Sequence, residues 1–91
     1  IQIEFTWGVD PDRKYDEAIR DYARAVEIDP RFASGFNNLG IAYRAKGDWD
    51  NASHSLSAAV KLDPLSARAY ANRGRVFVAR HDPMLAMQDF D

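Results

Sequence analysis

Shifted by 34 residues against itself, the chain aligns Asp16, Ala18, Ala25, Val26, Asp29 and Pro30 with Asp50, Ala52, Ala59, Val60, Asp63 and Pro64. The same shift aligns Ala33, Asn38, Gly40, Ala45, Asp48 and Ala52 with Ala67, Asn72, Gly74, Ala79, Asp82 and Ala86. Two separate overlaps at one period identify an internal repeat. Repeats of this length are supersecondary units that bury their apolar faces only by stacking on their neighbours. Conservative pairs keep the same register: Phe36 with Tyr70, Tyr43 with Phe77, Ile28 with Leu62, and Tyr22 with Leu56 and Phe90.

Within one complete unit, Phe36, Leu39, Gly40 and Tyr43 fall at i, i+3, i+4 and i+7, the spacing of one helix face. That helix runs from about Ala33 to Lys46, where Gly47 supplies a left-handed cap. Asp48 caps the next helix, whose stripe Trp49, Ala52, Leu56, Ala59 and Val60 reaches about Leu62. Asp63-Pro64 stops it, because the residue before proline is pushed out of the α region. Small Gly40 and Ala52 at matching depths let the paired backbones approach closely. Alanine is frequent, threonine occurs once and β-branched residues are sparse, which also favours helix over sheet. Helices are expected at about 11–29, 33–46, 49–62, 67–80 and 83–90, with no strand inside the repeats.

The run Phe36-Asn37-Asn38-Leu39-Gly40-Ile41-Ala42-Tyr43, followed by Gly47-Asp48-Trp49, Ala52, Leu56, Ala59 and Leu62-Asp63-Pro64, resembles the tetratricopeptide repeat (TPR), whose period is the same. Residues 15–32 look like the second helix of such a repeat and 67–91 like a repeat cut within its second helix, so the resemblance covers residues 15–91. It implies an all-α, right-handed α-solenoid of antiparallel helix pairs, about two and a half repeats long, with a role in protein interaction. The units are a partial repeat at 11–32, a complete one at 33–66 and a truncated one at 67–91. The last unit departs from the family pattern: Arg73 stands for the usual Leu, His81 for the turn Gly, and Pro83 for the aromatic that opens the second helix. Asp82-Pro83 reads instead as an N-cap followed by a first-turn proline. Arg73 on a core-facing edge needs a partner, and Asp89 at a matching depth on the facing helix is the candidate; a snorkelling Arg73 is the alternative.

Residues 1–10 do not fit the repeat and are read as an extended segment or linker. Ile1, Ile3, Phe5 and Trp7 alternate with Gln2, Glu4 and Thr6, the period of a strand, until Gly8. A formal net charge of −2 removes the long-range field that non-specific nucleic-acid binding needs, so no nucleic-acid partner is expected. No apolar run approaches the roughly 20 residues of a bilayer span, so no membrane insertion is expected. The absence of cysteine removes disulfides and thiolate metal sites but leaves cytoplasmic and periplasmic locations equally open.

No constellation in the sequence specifies catalysis, a cofactor or a metal. His54 and His81 lack a second ligand at metal-binding spacing. Ser53, His54 and Ser55 are helix neighbours pointing about 100° apart, which is no nucleophile–base pair. The acidic residues around Asp48 and Asp50 lack the Gly and terminal Glu of a calcium loop.

The candidate site lies opposite the core stripe of each first helix, on the surface that faces the concave side of a solenoid. Counting about 100° per residue places Asn38, Ile41 and Arg44 there from one repeat and Arg68, Asn72 and Arg75 from the next. The set holds three cations and no carboxylate. Asn recurs at one register position although it is a mediocre helix former, and its amide matches the donor and acceptor of one peptide unit. Asn38 and Asn72 are similar to the asparagine ladder of some family arrays. Asn38 and Arg68 in part resemble the carboxylate clamp of chaperone-binding adaptors, although Asn72 occupies the clamp's Arg position and the clamp's first helix has no counterpart.

The expected function is a protein-interaction scaffold that binds extended or acidic peptide segments of a protein partner and is not an enzyme. The alternative is a structural, self-associating repeat module, or the interaction arm of a larger multidomain protein. Solenoids rely on polar caps, and neither end supplies one, so the chain is expected to be part of a longer array or a homo-oligomer joined through its end faces.

Overall fold

The computed structural model describes residues 12–81 and 83–90. The alternating segment Ile1–Trp7, the boundary at residue 10 and the capping role of Asp82 lie outside the described residues. The elements are α1 (Arg13–Ile28), α2 (Ala33–Lys46), α3 (Trp49–Leu62), α4 (Ala67–Ala79) and α5 (Pro83–Phe90). No strand occurs among the described residues. Each helix packs on the next, and α2 also touches α4, so the first helices of consecutive repeats lie side by side. The Cα extents are 50 × 33 × 16 Å, a slab in which no helix is wrapped on all sides.

Helix ends follow the turn chemistry of the sequence. Gly47 has φ +86°, and the N–H groups of Gly47 and Asp48 close the end of α2 on the carbonyls of Arg44 and Tyr43, both at 2.9 Å. Asp48 accepts from the Asn51 backbone N–H at 3.3 Å and opens α3. After α3 stops before Pro64, Ser66 accepts from the Ala69 N–H at 3.1 Å and opens α4. One period beyond Gly47, His81 adopts φ +64°, so the turn survives loss of its glycine at the cost of a side chain in the left-handed region.

The core sits where α2, α3 and α4 meet. Ala52, Leu56 and Val76 are fully buried, and Tyr43 and Trp49 pack against them. Burial of Leu56 and Val76 contributes about 1.5–3 kcal/mol each. A Cβ at Gly40 would stand 2.5 Å from Leu56 Cγ and 3.2 Å from the Ala52 carbonyl oxygen, so the α2–α3 contact depends on glycine there. Gly74 repeats the device against the Phe90 ring, at 2.7 Å from a notional Cβ, but Phe90 is 52% exposed and free to yield.

The partner expected for Arg73 is present. Its Nε and Nη2 donate to Asp89 Oδ2 and Oδ1 at 2.8 and 2.7 Å, joining α4 to α5. Hydrogen bonding to Asp89 holds the Arg73 pKa above its ordinary value, outweighing the loss of hydration that lowers it. The Tyr70 and Phe77 rings, with centroids 5.6 and 5.8 Å from the guanidinium carbon, add cation–π contacts to Arg73. On the outer side of α5, Met84, Leu85 and Met87 are exposed.

Two stability measurements check these local readings. Gly40→Ala should lose about 1–2 kcal/mol in urea unfolding, because overpacking against Leu56 exceeds the helix-propensity gain, while Gly74→Ala should be near neutral. His81→Gly should stabilise by about 1 kcal/mol, read as a raised midpoint at unchanged slope.

Candidate functional site

Where α2 and α4 run side by side, two amides meet. Asn72 Nδ2 donates to Asn37 Oδ1 at 3.0 Å, and the residues are only 5% and 6% exposed. Arg75 Nη1 then donates to Asn72 Oδ1 at 2.9 Å, giving an Asn37–Asn72–Arg75 relay that crosses from one repeat to the next. Both ends of the Asn72 amide are therefore in use. The expectation that Asn72 offers a free amide to a ligand is corrected on this point. A helical wheel places it opposite the core of its own repeat, but that side of α4 is covered by α2 of the preceding repeat. A buried amide there must find protein partners, and Asn37 and Arg75 supply them.

The cations remain accessible. Arg68 is exposed and borders a recess with Ala33, Ser34, Asn37, Asp63 and Ser66, between the starts of α2 and α4 and the end of α3. Arg75 is exposed beyond its bond to Asn72. Arg44 is half-buried, and its Nε is shielded without a hydrogen-bond partner. Among the described residues, none of these three arginines forms an ion pair, whereas Arg13, Arg24, Lys46, Arg73 and Arg80 all do. Asp63 also lines the recess, with Oδ1 held by the Leu65 N–H at 3.3 Å. The start of α2 adds to the positive character, because its N-cap position is Phe32 and no side chain caps the first-turn N–H groups.

Asn38 and Ile41 lie elsewhere. Both line a slot between α2 and α1, together with Tyr15, Ala18 and Tyr22. The six expected residues thus divide: Arg68, Asn72 and Arg75 share the α4 edge of the groove, Asn38 and Ile41 belong to the slot, and Arg44 lies about two turns beyond Asn37 on α2. The residue that the sequence reading left out is Asn37. One period on from it stands Ala71, so the repeat gives no sign of its role, and only its flank position beside Asn38 could have drawn attention to it. Among the described residues no group of three or more His, Asp or Glu is placed to hold a metal ion, and no helix is long and apolar enough to cross a membrane.

The family model described as TPR repeat matches residues 14–45 and 42–79. The chain belongs to the TPR family. The described helices α1 to α5 are those of an all-α TPR solenoid. A solved relative, the second TPR of Spaghetti (RPAP3) bound to the HSP90 peptide SRMEEVD, superposes with a TM-score of 0.82 at 30% sequence identity, over 85% of this chain and 71% of that one.

The amide relay makes a measurable claim about this TPR array. Asn72→Ala should cost about 1–3 kcal/mol in chemical unfolding, because Asn37 Oδ1 loses its donor in a buried place. Asn37→Ala combined with Asn72→Ala should cost less than the sum of the two single changes, and strict additivity would show that the bond is not a coupled pair.

Proposed function

We propose that the chain is a protein-interaction module whose α2–α4 groove binds extended acidic peptide segments of a partner protein. The observation that carries this reading is the fixed amide relay with Arg68 and Arg75 beside it, neither of which forms an ion pair among the described residues, and with Arg44 likewise unpaired on α2, in an otherwise acidic chain. Asn37 lines the recess beside Arg68, and its Nδ2 has no partner among the described residues, which leaves it available to donate to a ligand carbonyl or carboxylate. Neighbouring helices sit roughly 10 Å apart and an extended chain advances about 3.3 Å per residue. Carboxylates about three residues apart on the peptide therefore match contacts from consecutive repeats. The RPAP3 domain supports the same class of ligand, since its peptide carries two Glu and a terminal Asp. Arg44, Arg68 and Arg75 supply the charge, and Asn37 and Asn72 set the register. We read the chain as a binding module without catalysis of its own, in keeping with the family as an interaction fold.

A second reading, self-association, is favoured by the exposed Met84, Leu85 and Met87 on α5. Sedimentation across a wide concentration range distinguishes it, since a monomer throughout removes it.

The test of the first reading is fluorescence anisotropy with a labelled acidic heptapeptide ending in a free carboxylate. Binding should weaken as salt rises, and Arg68→Glu with Arg75→Glu should reduce affinity at least tenfold, about 1.4 kcal/mol. Arg68→Glu alone, which leaves the amide relay intact, should account for a measurable part of the loss. Unchanged affinity in the double variant would remove the groove as the site.

A further inference from the structure

The slot between α1 and α2 is lined by residues at the register of a TPR repeat core. Tyr15, Ala18, Tyr22, Asn38, Ala42 and Ala45 line it. One period later the same positions are Trp49, Ala52, Leu56, Asn72, Val76 and Ala79. These include the whole buried core cluster, Ala52, Leu56 and Val76, each at 0% exposure, with Trp49 packed on it. What covers that later set is α2: Gly40 presses on Leu56, Asn37 bonds to Asn72, and Tyr43 packs on the cluster. The molecule therefore contains its own template for what fits the slot.

The residues one period before α2 do not carry its pattern. Ile3 stands at the register position of Asn37, Thr6 at that of Gly40 and Val9 at that of Tyr43. Asp10-Pro11 falls where α2 is still helical, and proline disfavours helix at the residue before it. A β-branched side chain at the Gly40 register would meet Tyr22, which is larger than the Leu56 that already demands glycine.

We propose that the slot is a docking site for an amphipathic helix supplied by another protein, seated as α2 is seated on α3 and α4. The template fixes the chemistry of that helix. It carries Gly or Ala against Tyr22, an amide side chain three residues earlier to pair with Asn38, and an aromatic three residues later over Ala18 and Ala42. Ile41 stands where the later repeat has Arg75, so the mouth of the slot is apolar and selects for hydrophobic surface instead of negative charge. This is helix-in-groove recognition, distinct in ligand and in residues from the acidic-peptide groove.

The test uses the full chain and a labelled, acetylated and amidated peptide with the sequence of residues 33–46, which is basic and so a poor ligand for the arginine groove. An isolated helix of this length is largely unfolded in water, so binding reads out twice, as anisotropy and as a gain in helical circular dichroism on mixing. The unmodified peptide should bind at least tenfold more tightly than the same peptide with Gly40→Leu. Ala18→Phe in the protein, which fills the slot while removing no existing contact, should abolish binding, and Asn38→Ala should weaken it several-fold. Arg68→Glu with Arg75→Glu should leave this peptide's affinity unchanged while losing the acidic heptapeptide, so either site can fail without the other. The proposal is overturned by absence of binding at millimolar peptide, by equal binding of the Gly40→Leu peptide, or by indifference to Ala18→Phe with the fold intact. Self-association of the unmodified chain that Ala18→Phe abolishes would assign the slot to a second copy and also overturn it.

Discussion

The contact on which the rest of this structure depends is the approach of α2 to α3 at Gly40. With no Cβ, that position lets the Leu56 side chain lie against the α2 backbone and brings the Ala52 carbonyl near. The α2–α3 spacing so fixed sets where α4 can lie beside α2, and with it the distance across which Asn37 and Asn72 bond. A larger residue there would have to displace the Leu56 side chain or widen the α2–α3 spacing. The site chemistry on one face therefore rests on a packing contact on the other.

Much of the architecture is legible in the sequence because local chemistry and the repeat agree. The apolar stripe places α2 and α3, Gly47 and Asp48 define the turn between them, and Asp63-Pro64 ends α3, all at the residues expected. The Arg73–Asp89 bridge is legible for a different reason: a cation where the pattern calls for leucine demands a partner, and few acidic residues share its depth. The first helix begins at Arg13, with residue 11 beyond the described region, and α4 ends one residue early, where Arg80 joins the turn that His81 makes.

The candidate site is less legible, because exposure in a solenoid is decided by two repeats at once. A helical wheel knows only the helix it is drawn for. It treats Asn38 and Asn72 as equivalents, which they are in sequence, yet Asn72 is covered by α2 while Asn38 borders an open slot. Asn37 escapes notice for the complementary reason, since its role depends on a residue 35 positions away. The arginines fare better. Long charged side chains at such positions reach solvent whatever the neighbouring helix does, so Arg68 and Arg75 stay exposed as the sequence suggests.

The 16 Å thickness of the slab has a consequence for how the molecule transmits force and information. With the core confined to the junction of α2, α3 and α4, each helix feels mainly those beside it, so disturbance at one edge fades over a repeat or two. Helix α2 is the exception. Its neighbouring residues Asn37 and Asn38 face different surfaces, one toward α4 and the other toward α1. In so flat a molecule, this one helix carries side chains of two separate surfaces, so a substitution that shifts α2 displaces residues of both.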